Sequence, residues 1–134
     1  MKKENRIKYP IPKKLNNSIT KENQKQNKYR NKKAIVDGIK FDSQKEANRY
    51  VELKLMEDTD YIKDLELQKK FELIPKYEIN GRKVRAMNYI CDFYYYDVLN
   101  KKYIVEDVKG MKTQVYKLKK KMFEYKYKIE IIET

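Results

Sequence analysis

A short apolar stretch, Ile104-Val105-Glu106-Asp107-Val108-Lys109, runs into Gly110 and carries a carboxylate and an ammonium two positions apart. If the stretch is a β-strand, alternation puts Asp107 and Lys109 on one face and Glu106 on the other. Attack on a phosphodiester needs an activated water and neutralisation of a highly anionic transition state. A carboxylate that ligates a hard cation, beside a lysine that orients or deprotonates the water or stabilises charge, supplies both. Asp92 comes next to Asp107 if the preceding strand turns back over residues 99–102. Two carboxylates that close repel unless a cation lies between them. Glu46 is a third acid, an inner- or outer-sphere ligand reaching in from a helix. The expected catalytic set is therefore Glu46, Asp92, Asp107 and Lys109, with Glu46, Asp92 and Asp107 as ligands of Mg²⁺ or Mn²⁺.

Each member also has an ordinary reading. Asp-x-Lys is a common tripeptide and can be a solvated ion pair. Glu46 stands three residues after Ser43, the capping-box spacing, and that alone would stabilise a helix start. Asp92 is harder to dismiss, because it is the lone acid in residues 84–96 and a carboxylate in such a strand needs a reason. Glu106 is expected at the surface or facing a helix.

The elements that must position these residues follow from patterning. Asp37-Gly38 between Ala34-Ile35-Val36 and Ile39-Lys40-Phe41 predicts a tight hairpin. Ser43 caps a helix in which Ala47, Tyr50, Val51 and Leu55 recur at helical spacing to about Asp58. Residues 62–79 alternate and predict one strand, bent or at an edge because of Pro75. Asn80-Gly81 is a hairpin turn, and residues 84–96 predict a second strand rich in aromatic and β-branched side chains. Residues 103–109 form the third strand. Thr113 caps a helix over Gln114–Tyr127, and residues 129–132 form a last strand. The order is helix, three-stranded meander, helix, strand: an α/β (α+β) domain with a mixed central sheet over residues 34–134. Of the tyrosine run Tyr94-Tyr95-Tyr96, core packing is the better account.

The net charge of +13 is unevenly distributed. Residues 1–33 hold 12 Lys/Arg against 2 Glu, residues 34–110 hold 14 against 15 acids, and residues 111–134 hold 7 Lys against 3 Glu. Residues 1–33 have no apolar period and read as a basic flexible arm. A near-neutral body between basic ends points to a polyanion, most simply nucleic acid. Thr113, Tyr116, Lys117, Lys119, Lys120 and Lys121 follow the Asp-x-Lys strand and are candidates to hold DNA phosphates. No apolar run is long enough to span a membrane. The N-terminus lacks the apolar region of a secretory signal, and the single cysteine, Cys91, fits a reducing cytoplasm. Without histidine, any metal must be held by carboxylates.

The α-β-β-β-α-β order, with Glu46 on the first helix, Asp92 on the second strand and Asp107-Val108-Lys109 on the third, resembles the PD-(D/E)XK nuclease superfamily from about Tyr29 onward. Val36-Asp37-Gly38-Ile39-Lys40-Phe41-Asp42-Ser43, Lys45-Glu46-Ala47-Asn48-Arg49-Tyr50 and Glu106-Asp107-Val108-Lys109-Gly110 look like a family of small phage and prophage proteins assigned to it. Cys91 stands where the motif has proline, and Asp107 replaces the commoner glutamate. The resemblance implies a restriction-endonuclease-like core, a Mg²⁺-dependent DNA endonuclease, and a phage recombination or replication role on branched DNA, resolvase-like, in the cytoplasm of a bacterial host. A homodimer suits two-fold branched DNA; no small-molecule cofactor is expected. The alternatives are a nuclease fold that binds nucleic acid without cutting, recognisable by binding that survives loss of Asp107, and a phage protein-interaction or inhibitor factor, recognisable by a specific protein partner.

Overall fold

The structure, a computed structural model, describes residues 33–108 and 111–134. The expected basic arm over residues 1–33 lies, except for Lys33, outside the described residues, as do Lys109 and Gly110.

Asp37 (φ 51°) and Gly38 (φ 74°) both take left-handed backbone, as a two-residue hairpin turn demands, and join β1 (Ala34–Val36) to β2 (Ile39–Phe41). Helix α1 (Gln44–Asp58) follows. Its cap is the expected one: the Ser43 side chain accepts from the Glu46 N–H at 3.1 Å. The buried face differs from the expected one. Glu46, Ala47, Tyr50 and Leu53 point inward, whereas Val51 and Leu55 are exposed. The expected stripe ran too far round the helix because Val51 and Leu55 are themselves four apart.

The two long strands of the meander are each broken. Residues 62–79 form β3 (Ile62–Leu67), β4 (Lys70–Ile74) and β5 (Tyr77–Ile79). Residues 82–97 form β6 (Arg82–Val84), β7 (Met87–Ile90) and β8 (Phe93–Asp97). Pro75, which has no N–H to donate, lies where β4 ends. β3 pairs with β8, β4 with β7 and β5 with β6, all antiparallel, so the chain makes one long interrupted ribbon folded at Asn80-Gly81. Across the break, the Gln68 N–H donates to the Asp92 carbonyl and the Cys91 N–H to that of Lys69, both at 3.1 Å.

β9 (Lys102–Asp107) pairs antiparallel with β8, and β10 (Ile131–Glu133) pairs parallel with β9. The central sheet has the order β10-β9-β8-β3 and is mixed, as expected. Helix α2 (Gln114–Tyr127) supplies the crossover between β9 and β10.

The break turns the ribbon over. Ile62 and Leu67 of β3 and Phe93 and Tyr95 of β8 pack against α1 with Phe41, Ala47, Tyr50, Leu53 and Ile104. Phe71 and Leu73 of β4 and Tyr89 and Cys91 pack against α2 with Val105, Tyr116, Phe123 and Ile131. One ribbon thus walls two cores. Phe123, fully buried, meets the rings of Phe71, Tyr89 and Tyr127 with centroids 5.0–5.2 Å apart. On the outer side of β8, Tyr94 and Tyr96 pack on Tyr103, while Tyr95 is core, which accounts for the tyrosine run by packing.

Phe123→Ala is expected to cost about 3–5 kcal/mol, read as a lower urea midpoint with an unchanged slope.

Candidate functional site

The pairing of Phe93 with Glu106 and of Asp97 with Lys102 fixes the register that the turn over residues 99–102 was expected to give. Extended by one position, it sets Asp92 opposite Asp107. The Asp92 carboxylate reaches across to the end of β9 and accepts from the Val108 N–H at 2.8 Å. Asp92 therefore terminates the β8–β9 ladder as well as presenting charge.

Gln68 was not anticipated. It stands in the break of the ribbon at φ 53°, left-handed backbone that a residue with a Cβ adopts at a cost on the order of 1 kcal/mol. Its side-chain amide donates to Asp92 at 3.2 Å and lies 3.5 Å from Glu46 Oε1. Two carboxylates from different elements thus converge on one nitrogen. In the sequence, the sole mark of this position is Lys69, a polar residue in the odd-numbered phase that Leu65, Leu67, Phe71 and Leu73 keep apolar.

Glu46 feels that convergence. Burial, then the charges of Asp92 and Asp42, push its carboxyl up to about 7, with a smaller contribution from Asp107 and a backbone hydrogen bond at Asp42 acting the other way. Sharing of a proton or capture of a cation relieves such crowding. The donor chemistry fits a hard divalent ion held by Glu46 and Asp92. Asp107 is fully buried beneath them and accepts a hydrogen bond from the Tyr89 hydroxyl, on the α2 side of the sheet. Among the described residues, no three Asp, Glu, His or Cys side chains are arranged to hold a metal ion. Asp107 enters the cluster through its charge and not as a third converging ligand.

Behind this cluster lies a second buried acid. Glu106 is fully buried and faces α1, so the helix-facing alternative holds and the surface one does not. Arg49 grips it with both arms of the guanidinium, Nε at 2.5 Å and Nη2 at 3.1 Å. The Tyr95 hydroxyl donates at 2.8 Å and that of Thr134 at 3.2 Å. The hydrogen bond to Glu106 raises the Arg49 pKa further, whereas burial first and Glu106 second raise that of Tyr95. Adjacent residues of β9 thus anchor opposite cores, Glu106 to α1 and Asp107 to the Tyr89 side.

The candidate phosphate-binding residues divide. Thr113 caps α2, its hydroxyl accepting from the Tyr116 N–H at 3.1 Å. Tyr116 is buried in the α2 core, where burial raises its hydroxyl pKa, and it is placed for packing. Lys120 pairs with Glu133 and Glu124. Lys117 and Lys121 are exposed one helical turn apart, and Lys119 is half-buried beside them. Cys91, directly before Asp92, is buried, and burial pushes its thiol up to about 12.

Residues 26–132 match the family described as "Protein of unknown function (DUF1064)". The chain belongs to this family. The match takes in every residue of the cluster, from Glu46 to Asp107, and both helices, so the DUF1064 region and the described fold nearly coincide. Neither curated proteins nor solved structures give a match to this DUF1064 chain. Among its described residues, no helix is long and apolar enough to cross a membrane.

Two outcomes are expected. Arg49→Ala leaves Glu106 without its cation and should cost about 3 kcal/mol in urea unfolding, with Glu106→Gln recovering part of that loss in the double variant. The raised carboxyl of Glu46 binds its proton more tightly in the folded chain. Its contribution is therefore full below the ordinary carboxylate range and is lost as pH rises from about 4.5 through about 7. Glu46→Gln should then raise the melting temperature at pH 8 relative to wild type and have little effect at pH 4.

Proposed function

We propose that this protein is a metal-dependent DNA endonuclease of the PD-(D/E)XK type, acting on branched DNA in phage recombination or replication. The observation that carries the reading is the convergence of Glu46 and Asp92 on Gln68 beside the end of β9, with Glu46 pushed up to about 7 by burial and acidic neighbours. Crowded acids of this kind are characteristic of sites built to receive a hard cation or a shared proton. The +13 charge supports a polyanionic substrate.

Glu46 and Asp92 would hold Mg²⁺ or Mn²⁺, with Asp107 supplying further negative charge from below. The ion, when bound, polarises the scissile phosphoryl group and acidifies water. The chain's own contributions are positional. The Val108 N–H fixes the Asp92 carboxylate, and Gln68 orients it toward Glu46. Lys109, next in the sequence after Val108, is assigned the attacking water and the developing charge. Exposed Lys117 and Lys121 would contact the phosphate backbone beside the cut. A homodimer matches the two strands that a branched substrate offers, and the host bacterial cytoplasm is the assigned compartment.

A second reading has its own support. Asp92 and Asp107 each have a structural partner, in the Val108 N–H and the Tyr89 hydroxyl. A chain that binds DNA without cutting could keep both for stability alone.

A cleavage assay separates the two. Wild type and Asp107→Asn meet four-way junction, forked, duplex and single-stranded DNA with Mg²⁺, Mn²⁺ or EDTA. The nuclease reading expects metal-dependent cutting that EDTA abolishes and Asp107→Asn lowers by about 10- to 100-fold, the effect of a charged group outside the ligand pair. Equal binding by both proteins with no cutting of any substrate establishes the second reading. Asp107→Asn keeps the size of the buried side chain, and a melting temperature measured alongside shows whether a loss is one of fold.

A further inference from the structure

The hairpin of β5 and β6 contributes to neither core. Residues 75–83 are all exposed, including Tyr77 and Ile79, each with about half its surface open. Among the described residues, the two strands pair only with each other, through Tyr77–Val84, Glu78–Lys83 and Ile79–Arg82. A lone two-stranded ribbon gains little from folding in water. This one is nonetheless specified by a strong turn, Asn80 at φ 48° and Gly81 at φ 74°.

Its side chains explain what it is for. Lys76, Arg82, Lys83 and Arg85 stand against Glu78 alone, a concentration of positive charge within residues 34–110, whose other positions hold 10 basic against 14 acidic residues. Register sets Lys83 beside Glu78 on one face and Arg82 beside Ile79 on the other, so both faces carry a cation. Lys76, Lys83 and Arg85 line a shallow groove of about 510 Å³ together with Tyr77, Val84 and the single acid Glu78.

The hairpin is also the far end of the ribbon whose break holds Gln68 and Asp92. Val84 lies eight residues before Asp92, at most about 26 Å along a strand. That is within one helical turn of B-form DNA, about 34 Å, and a two-stranded ribbon fits the major groove, about 12 Å wide.

We propose that the β5–β6 hairpin is a duplex-DNA contact arm that lies along the groove flanking the bond at the Glu46–Asp92 site, with Arg82, Lys83 and Arg85 on phosphates. The assignment of the flanking duplex rests on the nuclease reading; the contact itself does not.

The test uses the full chain carrying Asp107→Asn and a 30-base-pair duplex in EDTA, with the dissociation constant followed against salt. Arg82→Gln/Lys83→Gln/Arg85→Gln is compared with a charge-matched control, Lys63→Gln/Lys101→Gln/Lys102→Gln, at the opposite end of the ribbon. The hairpin triple is expected to flatten the log–log salt slope by about 3, and the control by less than about 1. Equal flattening by both, or none by the hairpin triple, overturns the proposal. All six side chains are exposed, so folding is preserved, as equal melting temperatures verify. If chain without the Asp107 substitution cuts DNA yet the two triples bind alike, the arm is wrong and the nuclease reading stands. If it cuts nothing yet the hairpin triple alone flattens the slope, the arm stands and the nuclease reading falls.

Discussion

Two carboxylates side by side in the middle of a sheet, Glu106 and Asp107, are both fully buried, and everything near the site is arranged around that fact. Burying an unpaired charge costs far more than a domain of this size can spare. Because neighbours on a strand face opposite ways, the two acids must be compensated from opposite sides. Glu106 draws in Arg49 from α1, with Tyr95 and Thr134; Asp107 draws in Tyr89 from β7. These bonds tie α1, β8, β7 and β10 to one strand. They also set the height of α1 against the sheet, and so the place where Glu46 emerges one turn before Arg49.

The same constraint keeps the acidic cluster under tension. Glu46, Asp92 and Asp107 come from a helix, a break between strands and a strand end, and among the described residues no cationic side chain bonds Glu46 or Asp92. A neutral amide, Gln68, stands there and orients the oxygens without neutralising them. Its left-handed backbone is a local cost set against that service.

Much of this was legible in the sequence, where local chemistry decides the outcome. The turns at Asp37-Gly38 and Asn80-Gly81, the caps Ser43 and Thr113 and the register that places Asp92 opposite Asp107 all follow from short-range rules. The break in the ribbon does not. Leu65, Leu67, Phe71 and Leu73, like Tyr89, Cys91, Phe93 and Tyr95, keep odd-numbered phase throughout, so alternation reads straight through a point where the ribbon turns over. Periodicity reports that one face is buried; it carries no information on which of two helices buries it. The partners that hold Glu106 were hidden for a related reason, since a buried polar group is satisfied from far away in sequence, as by Arg49, 57 positions from Glu106.

The turned-over ribbon has a consequence for how the molecule comes apart. In many two-core proteins each helix guards its own strands, and one half can open while the other persists. Here β3 runs on into β4, and β7 into β8, so strands that enclose Leu53 continue directly into strands that enclose Phe123. Unzipping the ribbon from either end pulls on both interiors. The two halves are thereby coupled into one cooperative unit, and amides of β4 and β8, though they line different cores, belong to a single slow-exchanging set.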